Sequence, residues 1–260
     1  MPERTGYAEG VPNWVDLMTP DRDASKAFYG SLFGWDYTDE PTDQGPTYTM
    51  CSKNGHQVAG MGPIPPDMAT AGMPPMWNSY VAVVDLDATV AKVDGAGGTV
   101  VMPTMDVMDA GRMAGIADPI GAAMFLWQAK DHIGATLVNE HGTLTWNELI
   151  TPDVDTAAAF YKDVLGWSSE TVRMPEMTYT IFKVGDDQVG GAMPPPMDGI
   201  PPNWGIYFAV DDADATTAAV KAGGGSVMAE PFDAPPGQLA TFADPQGVVF
   251  SILQPAEQLS

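Results

Sequence analysis

The chain has 260 residues, 45% of them hydrophobic, enough for one or two domains with a sizeable core. Its 34 acidic residues against 11 basic ones give a net charge of −23. Such a surface repels phosphate backbones and anionic lipid heads, which excludes nucleic-acid and membrane-surface partners.

The first strand is predicted at residues 14–18, a short alternating run. Thr19-Pro20-Asp21 then carries helix-start chemistry, Ala24, Ala27, Phe28, Ser31 and Leu32 fall at helical spacing, and Gly34 stops the helix. A strand at 80–84 leads into an acidic helix start at Asp85 and Asp87, with a stop at Gly95–Gly98. Residues 100–102 and 114–127 read as strands around a turn at Asp118-Pro119-Ile120-Gly121. Proline-rich joints lie at 63–75 and 194–202. Cys51 is the only cysteine, so no internal disulfide forms. There is no basic start followed by an apolar stretch and no apolar run of eighteen residues, and the expectation is a soluble, cytoplasmic protein.

The chain then repeats itself. Setting 14–35 (WVDLMTPDRDASKAFYGSLFGW) over 146–167 (WNELITPDVDTAAAFYKDVLGW) gives 11 identities in 22 positions, and the match resumes at Tyr48/Tyr179, Trp77/Trp204 and Asp118/Asp244. The predicted division is a first domain at 1–128 (core 14–128), a linker at 129–145, and a second domain at 146–260 (core 146–254).

A strand, a helix ending in FYxxxxGW, then VxDxDAT, GGxV and DPxG before an apolar strand resembles the vicinal oxygen chelate superfamily. That family includes glyoxalase I, bleomycin-resistance proteins and extradiol dioxygenases, and some similar two-domain bacterial proteins are labelled hydroxylases. The resemblance implies an α+β fold of two tandem glyoxalase-like domains. Each would be a pair of βαβββ modules whose mixed sheet curls into a cup. Metal-dependent members hold a divalent ion with His, Gln or Glu on the first strands of the modules and Glu on the last. Here those positions fall on Trp14 and Trp146, on Asn78 and Gly205, near Val58–Gly60 and Val189–Gly191, and on Phe125 and Ser251. Several converging O or N donors are needed and are missing, so no metal is expected at that place and no cofactor is assigned. His56, His132 and His141 read as loop residues, the last two with an open metal or proton-shuttle reading because both lie in the linker.

Strand alternation places Trp14 and Asp16 on the cup face with Val15 and Leu17 beneath the helix, and Trp146 and Glu148 likewise. Each Trp either plugs its cup or forms an aromatic wall, and each acid either bonds a structural donor or acts as a base whose pKa is raised beside indole rings. Tyr80 and Tyr207 join the cup by the same parity. Phe125 and Trp127 line the last strand of the first copy, where Ser251 and Leu253 leave more room in the second. Trp77 and Trp204 are expected at the rims, and Arg112, replaced by Gln238 in the second copy, as an anchor for an anionic or carbonyl group or as a solvated partner of Asp106 or Asp109.

Two functions follow from these residues. One is metal-independent binding of a planar aromatic small molecule. The other is a cofactor-independent hydroxylase, isomerase or lyase acting on an aromatic or polyketide-like metabolite, with Asp16 or Glu148 as base. Classical glyoxalase chemistry, which needs a metal to polarise an enediolate, ranks below both. The expected assembly is a monomer whose halves form an internal pseudo-dimer.

Overall fold

In the computed structural model, which describes residues 3–42, 47–70, 72–173 and 178–256, the duplication becomes two similar eight-stranded sheets. The first half runs β1 (Pro12–Thr19), α1 (Arg22–Phe33), β2 (Asp36–Glu40), β3 (Tyr48–Lys53), β4 (His56–Pro63), α2 (Pro66–Thr70), β5 (Met76–Ala82), α3 (Leu86–Val90), β6 (Thr99–Val107), β7 (Gly111–Ala117) and β8 (Ala123–Ala129). The second runs β9 (Leu144–Ile150), α4 (Val154–Leu165), β10 (Ser168–Arg173), β11 (Thr178–Val184), β12 (Asp187–Met193), β13 (Asn203–Ala209), α5 (Ala213–Ala222), β14 (Ser226–Ala234), β15 (Gly237–Ala243) and β16 (Val249–Pro255).

The sheet orders are β2-β3-β4-β1-β5-β8-β7-β6 and β10-β11-β12-β9-β13-β16-β15-β14. Each is mixed and open: β1 lies parallel to β4 and antiparallel to β5, and β5 lies parallel to β8. Modules therefore pair within a copy, a point on which the sequence is silent. Among the described residues no helix is long and apolar enough to cross a membrane.

The helices begin where an aspartate can cap them. Asp21, Asp85, Asp153 and Asp212 each accept a backbone N–H three residues on, which satisfies one of the free donors of a first turn. Gly34 and Gly166 end α1 and α4 in the left-handed region at φ 70° and 73°, where a side chain would be strained.

The helices lie between the two sheets and exchange partners across a pseudo-twofold. Val15, Leu17, Phe28 and Tyr29 of the first half share one core with Phe208, Phe242 and Phe250 of the second. Val81, Ile116 and Leu126 share the other with Phe160, Tyr161, Phe182 and Trp204. The repeated FY and DPxG motifs meet here. Tyr29 Oη donates to Asp244 Oδ2 and Tyr161 Oη to Asp118 Oδ2, both at 3.2 Å. The other oxygen of each aspartate accepts backbone N–H groups of its own turn, so one carboxylate fixes a turn and clamps the opposite half.

Candidate functional site in the second cup

Away from the helices each sheet curls around a carboxylate. In the first cup, register sets Trp14 opposite Tyr80, Asp16 opposite Asn78 and beside Gly60, and Tyr80 beside Phe125. Asp16 is buried and takes three donors: Asn78 Nδ2 at 2.8 Å on Oδ1, and Tyr80 Oη at 2.8 Å and Tyr48 Oη at 3.3 Å on Oδ2. Trp14 Nε1 donates to Tyr48 Oη at 3.1 Å and orients it. Burial pushes the Asp16 carboxyl up from its usual range, while hydrogen bonds from Asn78, Tyr80 and Tyr48 pull it down.

In the second cup Glu148 is also buried, with Tyr179 Oη at 2.8 Å on Oε1 and Tyr207 Oη at 2.6 Å on Oε2. Trp146 Nε1 donates to Tyr179 Oη at 2.9 Å. Burial again raises the carboxyl, opposed by the two phenols. The phenols are themselves raised, first by burial and then by the charge of Glu148.

Tyr48 and Tyr179 complete both carboxylate clusters, and sequence reasoning missed them. The available signal was the glycine across the neighbouring strand. A Cβ on Gly60 would lie 1.8 Å from Tyr48 Oη, and one on Gly191 1.9 Å from Tyr179 Oη. A Tyr on β3 or β11 therefore requires Gly on β4 or β12.

The same contact tests the metal site of metal-dependent relatives. The tyrosine hydroxyl bars a carboxylate-bearing residue from position 60 or 191. The corresponding neighbours are Trp14, Asn78 and Phe125 in one cup and Trp146, Gly205 and Ser251 in the other. Indole offers only a donor N–H and glycine and phenylalanine offer no side-chain ligand, so these residues do not fit a divalent ion. Among the described residues there is also no group of three or more His, Cys, Asp or Glu placed to hold one.

The cups differ in what covers them. A strap of residues 131–138 crosses the first. Its His132 ring stands edge-on to Trp14 with centroids 4.5 Å apart, and at 5.8 Å from Trp127. Trp127 Nε1 donates to His132 O, Asn13 Nδ2 to Ile133 O, Ala135 N to Asn13 O and Tyr7 Oη to Ala135 O, at 2.6–3.0 Å. Phe125 stacks on Tyr80 at 4.9 Å. Trp14, Tyr80, Trp127, Ala135 and Val138 thus form a third buried apolar cluster, and Trp14 is only 4% exposed. In the second cup Trp146, Tyr179, Tyr207, Leu239 and Leu253 are half-buried, and Phe232 at the mouth is exposed. Ser251 replaces Phe125, its hydroxyl 2.9 Å from Thr241 Oγ1.

Four predicted site residues stand elsewhere. Trp77 and Trp204 are not rims: they are buried in the inter-sheet cores, where Trp77 Nε1 donates to Tyr29 Oη and Trp204 Nε1 to Tyr161 Oη. Their strand parity is that of Val81 and Ile206, which face the helices. Arg112 lies on β7 with the parity of Ala114 and Ile116, and its guanidinium pairs with Asp87 at 2.9 Å and approaches Asp106 at 3.8 Å, outside the cup. Gln238 bonds Asp233 at 3.1 Å. His56 and His141 border a surface cleft of about 300 Å³ lined by first-domain and linker residues, and His132, the other linker histidine, sits in the strap.

Tandem cups built of paired βαβββ modules are the glyoxalase-type fold. The chain belongs to the Glyoxalase/Bleomycin resistance protein/Dioxygenase superfamily, which matches residues 11–124 and 133–252. It is 54% identical over 261 residues, covering 99% of this chain and all of the relative, to "Putative glyoxylase CFP32" of Mycobacterium tuberculosis. It is 37% identical to "Anthracycline biosynthesis protein DnrV" of Streptomyces peucetius, covering 96% and 95% of the two chains. Among solved structures it resembles the Mn(II)-bound glyoxalase of Novosphingobium aromaticivorans, with TM-score 0.66, 16% identity and 94% and 81% coverage. It likewise resembles the 2,3-dioxygenase LapB of Pseudomonas sp. KL28, with TM-score 0.64, 18% identity and 95% and 93% coverage. These structural likenesses speak to the fold.

Proposed function

We propose that the second cup binds a planar, largely apolar aromatic molecule without a metal ion, and that the first cup is a structural copy of that site. One observation carries the reading. In the first cup the chain itself supplies a flat ring, His132, edge-on to Trp14, while the equivalent Trp146 is half-exposed. An aromatic bowl around one oriented polar group is the usual composition of a small-molecule site. The name of the Streptomyces relative supports the same chemical class, since anthracyclines are fused-ring aromatics. The chain acts as a monomer, its paired halves burying the surfaces that separate domains would use to dimerise.

A second reading makes the site catalytic, with Glu148 as base. It rests on a buried carboxyl held by two phenols, a group that can take a proton from an acidic C–H or O–H and hold it within a hydrogen-bonded network. Asp16 is the poorer candidate because the strap and its three donors enclose it.

The separating experiment is mass spectrometry of an aromatic metabolite extract after incubation with the protein. Retention of a compound at unchanged mass supports binding. Depletion with a new mass supports catalysis, and Glu148→Gln then abolishes the new mass. Recovery of no aromatic compound in either form overturns the proposal.

A further inference from the structure

The two carboxylates differ by one donor. Asp16 receives Asn78 Nδ2 from the facing strand, but the residue facing Glu148 in the same register is Gly205. A Cβ built on Gly205 meets only the backbone carbonyl of Glu148, at 3.6 Å. The backbone does not demand glycine there, since Gly205 is not among the residues at positive φ. The glycine therefore removes a side chain from the cup wall beside a buried acceptor. Each carboxylate oxygen has two lone pairs, and the tyrosines use one on each, so Glu148 retains acceptor capacity on the side that Asn78 closes in the first cup.

We infer that position 205 selects the ligand: a planar aromatic bearing a hydroxyl or N–H on its ring edge, which donates to Glu148 through the space above Gly205. The inference rests on the proposed reading of the second cup and adds the hydrogen-bonding group its ligand carries. An aromatic lacking such a donor leaves the carboxylate short of a partner in a water-poor bowl, and that loss sets the discrimination. In the first cup the protein makes this contact with its own amide.

The probes are 2,6-dihydroxyanthraquinone, its 2,6-dimethoxy analogue and unsubstituted anthraquinone, titrated against the full chain by tryptophan fluorescence and calorimetry. The dihydroxy compound should bind at least about tenfold more tightly than either analogue, the factor a hydrogen bond to a charged group supplies. Gly205→Asn, which installs the amide of the first cup, should remove that preference and weaken the dihydroxy compound by about the same factor. Gly205→Ser serves as the milder change, and the ligand series on the unmodified protein is independent of how either variant folds. Equal binding of all three compounds by the parent overturns the inference while leaving the aromatic site standing, as does undiminished binding by a folded Gly205→Asn protein. Binding of none of them overturns both.

Discussion

The two cups share a sheet order, a tryptophan on the first strand, an acid two residues later and a tyrosine on the facing strand. In the first cup these residues are core. In the second the tryptophan and the tyrosine are half-buried, while the acid stays buried. A few changes separate the two states: Asn78 against Gly205, Phe125 against Ser251, Trp127 against Leu253, and the strap that crosses only the first cup. A polar cluster enclosed on all sides is paired and orders its surroundings, whereas the same cluster left more open keeps acceptor capacity within reach of a ligand. Two copies of one repeat thus carry a packed cup and a more exposed one.

The largest effect should come from exchanging the plug. Ser251→Phe places a ring over Tyr207 as Phe125 lies over Tyr80, and aromatic ligand affinity should fall by about a hundredfold, read by fluorescence titration. The reciprocal Phe125→Ser should not create a second binding equivalent, because the strap remains. Binding at two sites per chain in Phe125→Ser would break the distinction between the cups.

Next is the strap itself. Gly134 has φ 106°, and a Cβ there would lie 2.3 Å from Asn13 O. Gly134→Ala should cost about 3 kcal/mol in chemical denaturation, the sum of a disfavoured conformation and a backbone clash. Gly205→Ala in the other cup, whose Cβ would make only an ordinary van der Waals contact, should change stability by less than about 0.5 kcal/mol.

The asymmetry was only partly readable in the sequence. The repeat gave the fold, because eleven identities in one 22-residue window and spaced FY, DPxG and capping motifs require the same turns twice. Period-two alternation placed Trp14, Asp16 and Tyr80 on one face and Val15 and Leu17 on the other, and the smaller Ser251 pointed to the roomier cup. The same rule, applied to Trp77 and Arg112, would have put them beneath the sheet. Proline- and methionine-rich flanks obscure where β5 and β7 begin, and with them the parity of these two residues. The strap left no local signal at all. Its anchors join residues far apart in the chain, such as His132 Nδ1 with Gln57 and Ala135 N with Asn13, and only the folded sheet brings them together.

The strap also gives the first cup a pH response that the second lacks. Burial holds the His132 ring down, at about 4, against an ordinary value of 6.5. A base whose folded value is depressed leaves stability intact above 6.5 and withdraws it as pH falls toward 4, because the unfolded chain takes up the proton first. The loss amounts to at most about 3.5 kcal/mol, at about 1.4 kcal/mol per unit. The protection factors of the Ala135 and Thr136 amides, which donate to Asn13 O and Gln57 O, should fall between pH 6.5 and 4 once the intrinsic slowing of exchange in acid is divided out. His132→Phe should flatten that fall, and unchanged protection in the parent would show the strap indifferent to the proton.

The smallest difference separates the carboxylates. Asp16→Asn turns an amide N–H2 toward one of three donors, and Glu148→Gln toward one of two. Each variant therefore opposes one donor and should lower stability by about 1 kcal/mol, close to the worth of one hydrogen bond. Their pH dependence carries the opposite sign to that of His132. Burial raises both acids, so the parent holds this stability below their ordinary values, 3.8 for Asp16 and 4.5 for Glu148, and loses it as pH rises through the folded values. Removing the ionisable group removes the loss, and Glu148→Gln should gain on the parent as the pH of denaturant melts is raised from 4 toward neutrality. A gain of equal size in Asp16→Asn would mean that Asn78 does nothing to hold the charge, and the donor count that sets the cups apart would lose its energetic basis.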